Sequence, residues 1–269
     1  MSSSFRGGWG GPSYRAYGGY SRFGYGWGLT PVVKKLILIN AAAFFLLALM
    51  SAFVATRPFA GLLVRVFGVV PTDTVFGLRF WQPLTYLFVH AGFLHIFFNM
   101  FGLWMFGSVL ERDWGGRRFL RYYLLTGVGA GLLNVAVSLL WGGPAATVPT
   151  VGASGAILAL LLAFGVLYPH QPIFVLFLFP VPARIFVIIF GALAFISALQ
   201  EPGSGVSHIS HLGGVLFGLI YLRGGWLLYR IHKRWSDWKM RDARRRFEVY
   251  MREEDERDRS QRDPNQWIN

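Results

Sequence analysis

Apolar residues in this chain come in long runs. Six of them stand out, at about 36–55, 95–110, 119–141, 154–168, 183–199 and 208–229, separated by polar or Gly/Pro-marked breaks. Runs of this length with almost no internal charge predict helices in hydrocarbon. The pattern therefore predicts an all-α fold, a polytopic membrane bundle of six transmembrane helices. The fourth run is the shortest and stops at Tyr168-Pro169. A full span needs roughly 20 residues, so this helix fits best in the middle of the bundle, with one end opening into a polar cavity.

Composition sharpens this picture. Of 269 residues, 54% are hydrophobic and only 14% are charged, and more than half of the charges fall in about the last forty positions. The chain divides into a Gly- and aromatic-rich tail (1–32) that reads as disordered, a membrane domain (33–232) and a charged tail (233–269). Trp235, Trp238, Arg241 and Arg245 in that last tail suggest an interfacial amphipathic helix. No cleavable signal peptide is visible: the first run is too long for one and lacks a small-residue cleavage site. There is no cysteine, which excludes disulfides, iron–sulfur clusters and thiolate zinc sites.

The net charge of +13 raises the question of nucleic acid. The basic residues instead flank the apolar runs, where they meet anionic lipid, and no nucleic-acid partner is expected. Lys34 and Lys35, then Arg112, Arg117, Arg118 and Arg121, then Arg230, Lys233 and Arg234 all fall on one side of a six-helix topology. By the positive-inside rule that side is cytoplasmic, as are both termini. Loops 57–93, 142–153 and 200–207 then lie outside.

A few polar groups sit where hydrocarbon is expected. Such groups are costly and mark functional sites by default. Ser154, in Gly152-Ala153-Ser154-Gly155, opens the fourth run, and His211 lies near the start of the sixth. His95 and Asn99, four residues apart and so on one helix face, lie at the start of the second. The topology brings all four within roughly 10 Å of the outer boundary. A serine hydroxyl needs a positioned base to attack, and histidine is the usual one. The oxyanion that follows needs fixed donors. The helix N-terminus at Ser154, the Asn99 amide and a His95 ring N–H qualify. Gly152 and Gly155 permit close backbone approach, and Gly214 and Gly218 form a small-residue face that brings helix six onto helix four. No Asp or Glu lies at the depth of His211, so the residues read as a Ser–His dyad.

These residues closely resemble the rhomboid family of intramembrane serine proteases. The matching elements are Gly152-Ala153-Ser154-Gly155, then His211-x-x-Gly214-x-x-x-Gly218, and His90, His95 and Asn99 in the second-helix signature; the likeness covers about residues 33–230. The resemblance implies a rhomboid-like fold, with Ser154 as nucleophile and His211 as general base. It also implies an oxyanion site of Asn99, His95 and the Ser154 backbone N–H, supported by His90. It implies transmembrane protein substrates, cut in or near the bilayer without metal, ATP or other cofactor, and a first placement in a bacterial inner membrane. Two positions depart from the family pattern: Gln82 stands where Arg often follows Trp81, and Ser210 where Ala is common. Three rivals remain. A zinc site on His90, His95, His208 and His211 would lack both an HExxH motif and a carboxylate ligand. A non-catalytic relative that binds transmembrane helices would typically lack the serine or the histidine. A transporter would call for inverted repeats of broken helices, which are not evident.

Overall fold

The computed structural model describes residues 28–175, 179–200 and 208–224, with Met240 and Met251 as isolated positions. The N-terminal tail up to residue 27, the amphipathic helix expected around 235–245 and nearly all of the charged tail lie outside the described residues.

Each expected apolar run contains a helix. The first, α1 (Pro31–Ala52), starts earlier than its apolar run because of a capping arrangement. Pro31 sits at its first position, where a missing N–H costs nothing, and the exposed donors beyond it are met by Glu111. The Glu111 carboxylate accepts from Thr30 Oγ1 at 2.5 Å and from the backbone N–H groups of Val33 at 2.9 Å and Val32 at 3.0 Å. Burying Glu111 is tolerable because all three donors come from the one helix end.

Loop 57–93 is itself folded. It contains α2 (Arg57–Phe67), α3 (Pro71–Val75) and α4 (Gln82–Thr85), and a short 3-10 turn (Tyr86–Phe88) follows. The buried Gln82 amide ties them together. Its Oε1 accepts from Val70 N–H at 3.1 Å and Thr74 Oγ1 at 2.6 Å, and its Nε2 donates to the Arg65 carbonyl at 2.9 Å. Asp73 pairs with Arg65 at 3.0 Å and Arg79 at 2.9 Å. The loop nevertheless exposes Phe59, Leu62, Phe76, Leu78, Phe80 and Trp81, an apolar surface suited to contact with lipid.

Helix α5 (Phe93–Trp114) and α6 (Gly116–Trp141), like α1, are long and apolar enough to cross a membrane. One wider π turn interrupts α5 at Leu103–Gly107. The break between the two helices falls at Gly115, whose φ of 77° favours glycine. Helix α7 (Ser154–Leu167) has only 14 residues and is apolar on all sides, with Gly155, Ala156, Ala159 and the whole stretch Leu160–Gly165 buried. A helix hydrophobic all round belongs inside a bundle, and α7 packs against α6 and α5. An antiparallel pair then pins β1 (Pro172–Val175) to β2 (Phe179–Pro182), with Ile173 opposite Val181. The prolines before the fifth run thus lie in a strand. Helices α8 (Ala183–Gln200) and α9 (208–224) complete the described fold.

Glycines set how closely α9 approaches. A side chain on Gly214 would collide with the Gly155 carbonyl. One turn on, a Cβ on Gly218 would meet the Tyr122 hydroxyl at 2.9 Å and Ala159 Cβ at 3.3 Å. Contacts that advance by four residues on both helices mean that α7 and α9 run in the same direction. On the other flank, a Cβ on Gly213 would lie 2.8 Å from the Ala130 Cα of α6.

Candidate active site

The close approach of α9 to α7 brings His211 Nε2 to 2.7 Å from Ser154 Oγ. Both residues are partly buried. With the hydroxyl as donor and Nε2 as acceptor, this hydrogen bond lies within the reach that a base needs to take a serine proton. The groups come from residues 57 positions apart, so tertiary packing alone creates the pair. The ring of His208 stands edge-on to that of His211, with centroids 5.9 Å apart.

Ser154 is the first residue of α7, so its N–H belongs to the turn that has no intrahelical acceptor. The strand-like approach to it is pinned at three points. Thr150 and Val69 exchange backbone hydrogen bonds of 2.8 and 2.9 Å. The Thr150 hydroxyl accepts from the Asn134 amide of α6 at 3.1 Å. The Gly152 N–H donates to the Tyr86 carbonyl at 2.9 Å. Tyr86 is itself fixed, because its hydroxyl donates to the Gly127 carbonyl at 2.7 Å. Gly152 has φ of 113°, a conformation that side chains rarely adopt. A Cβ there would also overlap His95 Nε2. Both constraints require glycine two residues before Ser154.

That overlap places the His95 imidazole directly over Gly152, beside the Ser154 turn. Asn99 is buried one helical turn below, and its amide donates to the His95 carbonyl at 2.9 Å. His90 is buried too and meets the His95 ring edge-on, with centroids 5.1 Å apart. Burial, with the neighbouring His95 as a lesser cause, pushes the His90 imidazole down to about 4. The structure thus gathers Ser154, His211, His95, Gly152, Gly155 and Gly214 around one end of α7, with His90 and Asn99 behind His95. Gly218 lies a turn deeper and serves helix packing. No group of three or more His, Cys, Asp or Glu side chains able to hold a metal occurs among the described residues.

Sequence reasoning missed three contributors, Tyr86, Thr150 and Asn134, and marked Gln82 only as the departure after Trp81. The others act through backbone groups or partners far along the chain.

Comparison with known proteins agrees with the geometry. Residues 77–230 match the Rhomboid domain, more than half of the chain, and the protein belongs to the rhomboid family. It is 30% identical over 165 residues to Rhomboid protein 1, mitochondrial, of Saccharomyces cerevisiae, a match covering 60% of this chain and 45% of that protein. It is 32% identical over 152 residues to Rhomboid protease GluP of Bacillus subtilis, covering 56% and 27%. RHOMBOID-like protein 12, mitochondrial, of Arabidopsis thaliana is 28% identical over 225 residues, covering 77% and 63%. In each case less than two thirds of the relative's length is matched. The relatives include both bacterial and mitochondrial proteins.

Proposed function

We propose that this protein is an intramembrane serine endopeptidase. The observation that carries the reading is the 2.7 Å contact between Ser154 Oγ and His211 Nε2. In the proposed cycle His211 takes the hydroxyl proton as Ser154 Oγ attacks the scissile carbonyl carbon. The negative charge develops on the carbonyl oxygen near the Ser154 N–H, the His95 ring and Asn99. His211 then gives its proton to the departing amine, and the C–N bond breaks to leave an acyl ester on Ser154. Water, deprotonated by His211, hydrolyses that ester and restores the hydroxyl.

The substrates proposed are single-pass transmembrane proteins cut in or near their membrane segment. They would enter laterally between α5 and α8. A plasma membrane of bacterial type, with both termini cytoplasmic, is the proposed setting. Support for a protease comes from membership of the rhomboid family and from the likeness to a protein named a rhomboid protease.

The test is labelling of the solubilised full chain with a fluorophosphonate probe, alongside cleavage of a model transmembrane substrate. Wild type should label and cleave, and Ser154→Ala and His211→Ala should do neither. Cleavage retained in Ser154→Ala would falsify the assignment. A wild type that neither labels nor cleaves favours a non-catalytic binder of transmembrane helices.

A further inference from the structure

Between α1 and α5 an apolar groove of about 610 Å³ opens to the surface, lined by Leu29, Ile37, Phe97, Met100, Phe101 and Trp104. One wall is an aromatic ladder. Phe97 and Phe101 stack with centroids 6.2 Å apart and planes 12° from parallel, and Trp104 meets Phe101 edge-on at 5.9 Å. Leu29 and Phe97 remain about half exposed, at 48% and 49%. Both flanking helices are of membrane-crossing length, so the groove opens toward hydrocarbon.

The end of the groove near the start of α1 is basic. Arg112 Nη1 donates to the Gly28 carbonyl at 3.2 Å, which holds the guanidinium next to Leu29. Lys34 is exposed and lies three residues before Ile37, on the same helix face and nearer the helix start. Among the described residues the ion pairs are confined to Asp73 with Arg65 and Arg79. No carboxylate pairs with Lys34 or Arg112 there; that of Glu111, next to Arg112 in sequence, is taken up by the Thr30 hydroxyl and the Val32 and Val33 N–H groups. A hydrocarbon slot ending at two such cations matches an amphiphile with an acyl chain and a negative head. Basic clusters at the ends of membrane helices recognise anionic lipid head groups in this way.

We propose that this groove is a binding site for an anionic phospholipid of the leaflet bordering the start of α1. One acyl chain would lie along Phe97, Phe101 and Trp104, and the phosphate would sit between Lys34 and Arg112. The site is separate from Ser154 and His211, and the proposal stands whether or not the protein is a protease.

Native mass spectrometry of the full chain, titrated with phosphatidylglycerol or phosphatidylcholine, tests this. Wild type should bind one phosphatidylglycerol with a preference of about tenfold or more, the scale expected for two interfacial cations. The double variant Lys34→Gln/Arg112→Gln should lose that preference, whereas Arg184→Gln, an exposed cation at the start of α8, should keep it. Ile37→Trp should weaken binding of both lipids by obstructing the groove. The proposal fails if wild type does not prefer phosphatidylglycerol, or if the double variant prefers it equally. It also fails if a preference emerges only after deletion of residues 1–27, since that segment would then be the groove's occupant.

Discussion

Gly214 is set against the carbonyl oxygen of Gly155, closer than any side chain at position 214 would permit. This contact between α9 and α7 is what holds His211 within 2.7 Å of Ser154. Gly214→Ala should force the helices apart and carry the imidazole off the hydroxyl. A misplacement near 1 Å costs on the order of 10²-fold in rate, and overpacking lowers stability by about 1–3 kcal/mol. Fluorophosphonate labelling and thermal melting measure both effects. Gly224→Ala is the control, because nothing lies within 4 Å of a Cβ there. Wild-type labelling by Gly214→Ala would show that the glycine contact does not position the pair.

Asn99 is buried beneath His95 and already gives one amide hydrogen to the His95 carbonyl. Its second amide hydrogen is the one proposed to meet the oxyanion. Asn99→Ala should reduce kcat by about 10²-fold, the usual scale for one oxyanion donor, with little change in KM. A rise in KM at unchanged kcat would mean that Asn99 acts only in binding.

A helix within each apolar run, and the placing of Ser154 and His211 near the starts of two of them, were legible because each rests on local features. Long apolar runs mark the helices, and a serine and a histidine inside them stand out. Other parts were not legible because they depend on partners distant in sequence. The start of α1 is set by Glu111, 78 residues beyond Val33, so the apolar run at 36–55 places the helix start too late. Within 57–93, α3 and α4 have only five and four residues, too few to show a helical period, and are held by side-chain bonds to backbone groups. The β1–β2 pair follows from backbone pairing among residues that include three prolines. Thr150 and Tyr86 position the Ser154 turn largely through their carbonyls and N–H groups, which every residue type carries.

Gln82 illustrates how a departure from the family pattern is accommodated. Its amide serves Val70, Thr74 and the Arg65 carbonyl at once. Gln82→Leu would strand the buried Val70 N–H, while the Thr74 hydroxyl keeps the Val70 carbonyl as acceptor at 3.0 Å. A buried polar group so stranded costs about 1–3 kcal/mol. The melting temperature should fall by several degrees, and proteolysis within 57–93 should become faster. An unchanged melting curve would mean that Arg79, Asp73 and Arg65 suffice to hold the loop.

Glu111 should matter as much at the other end of the bundle. Glu111→Ala removes the acceptor of three donors at the start of α1 and empties a buried position. A loss of about 1–3 kcal/mol is expected, with faster amide exchange at Val32 and Val33. Because Ser154 and His211 sit near the opposite ends of their helices from this cap, labelling of the folded fraction should stay near the wild-type level. A labelling loss larger than the loss of folded protein would contradict that separation.

His90 links the fold to acidity. Its imidazole is pushed down to about 4 by burial, with His95 adding to the effect, whereas an unfolded histidine titrates near 6.5. Between those values the unfolded chain binds more protons than the folded one, so stability rises with pH. The contribution is complete above about pH 6.5 and is lost progressively as pH falls toward 4. The melting temperature of wild type should therefore drop between pH 7.5 and pH 5. His90→Gln cannot titrate there and should flatten that slope, at the expense of some stability at pH 7.5. Melting curves of both proteins across the interval measure the difference directly. Equal slopes would mean that His90 takes up its proton without opening the packing against His95.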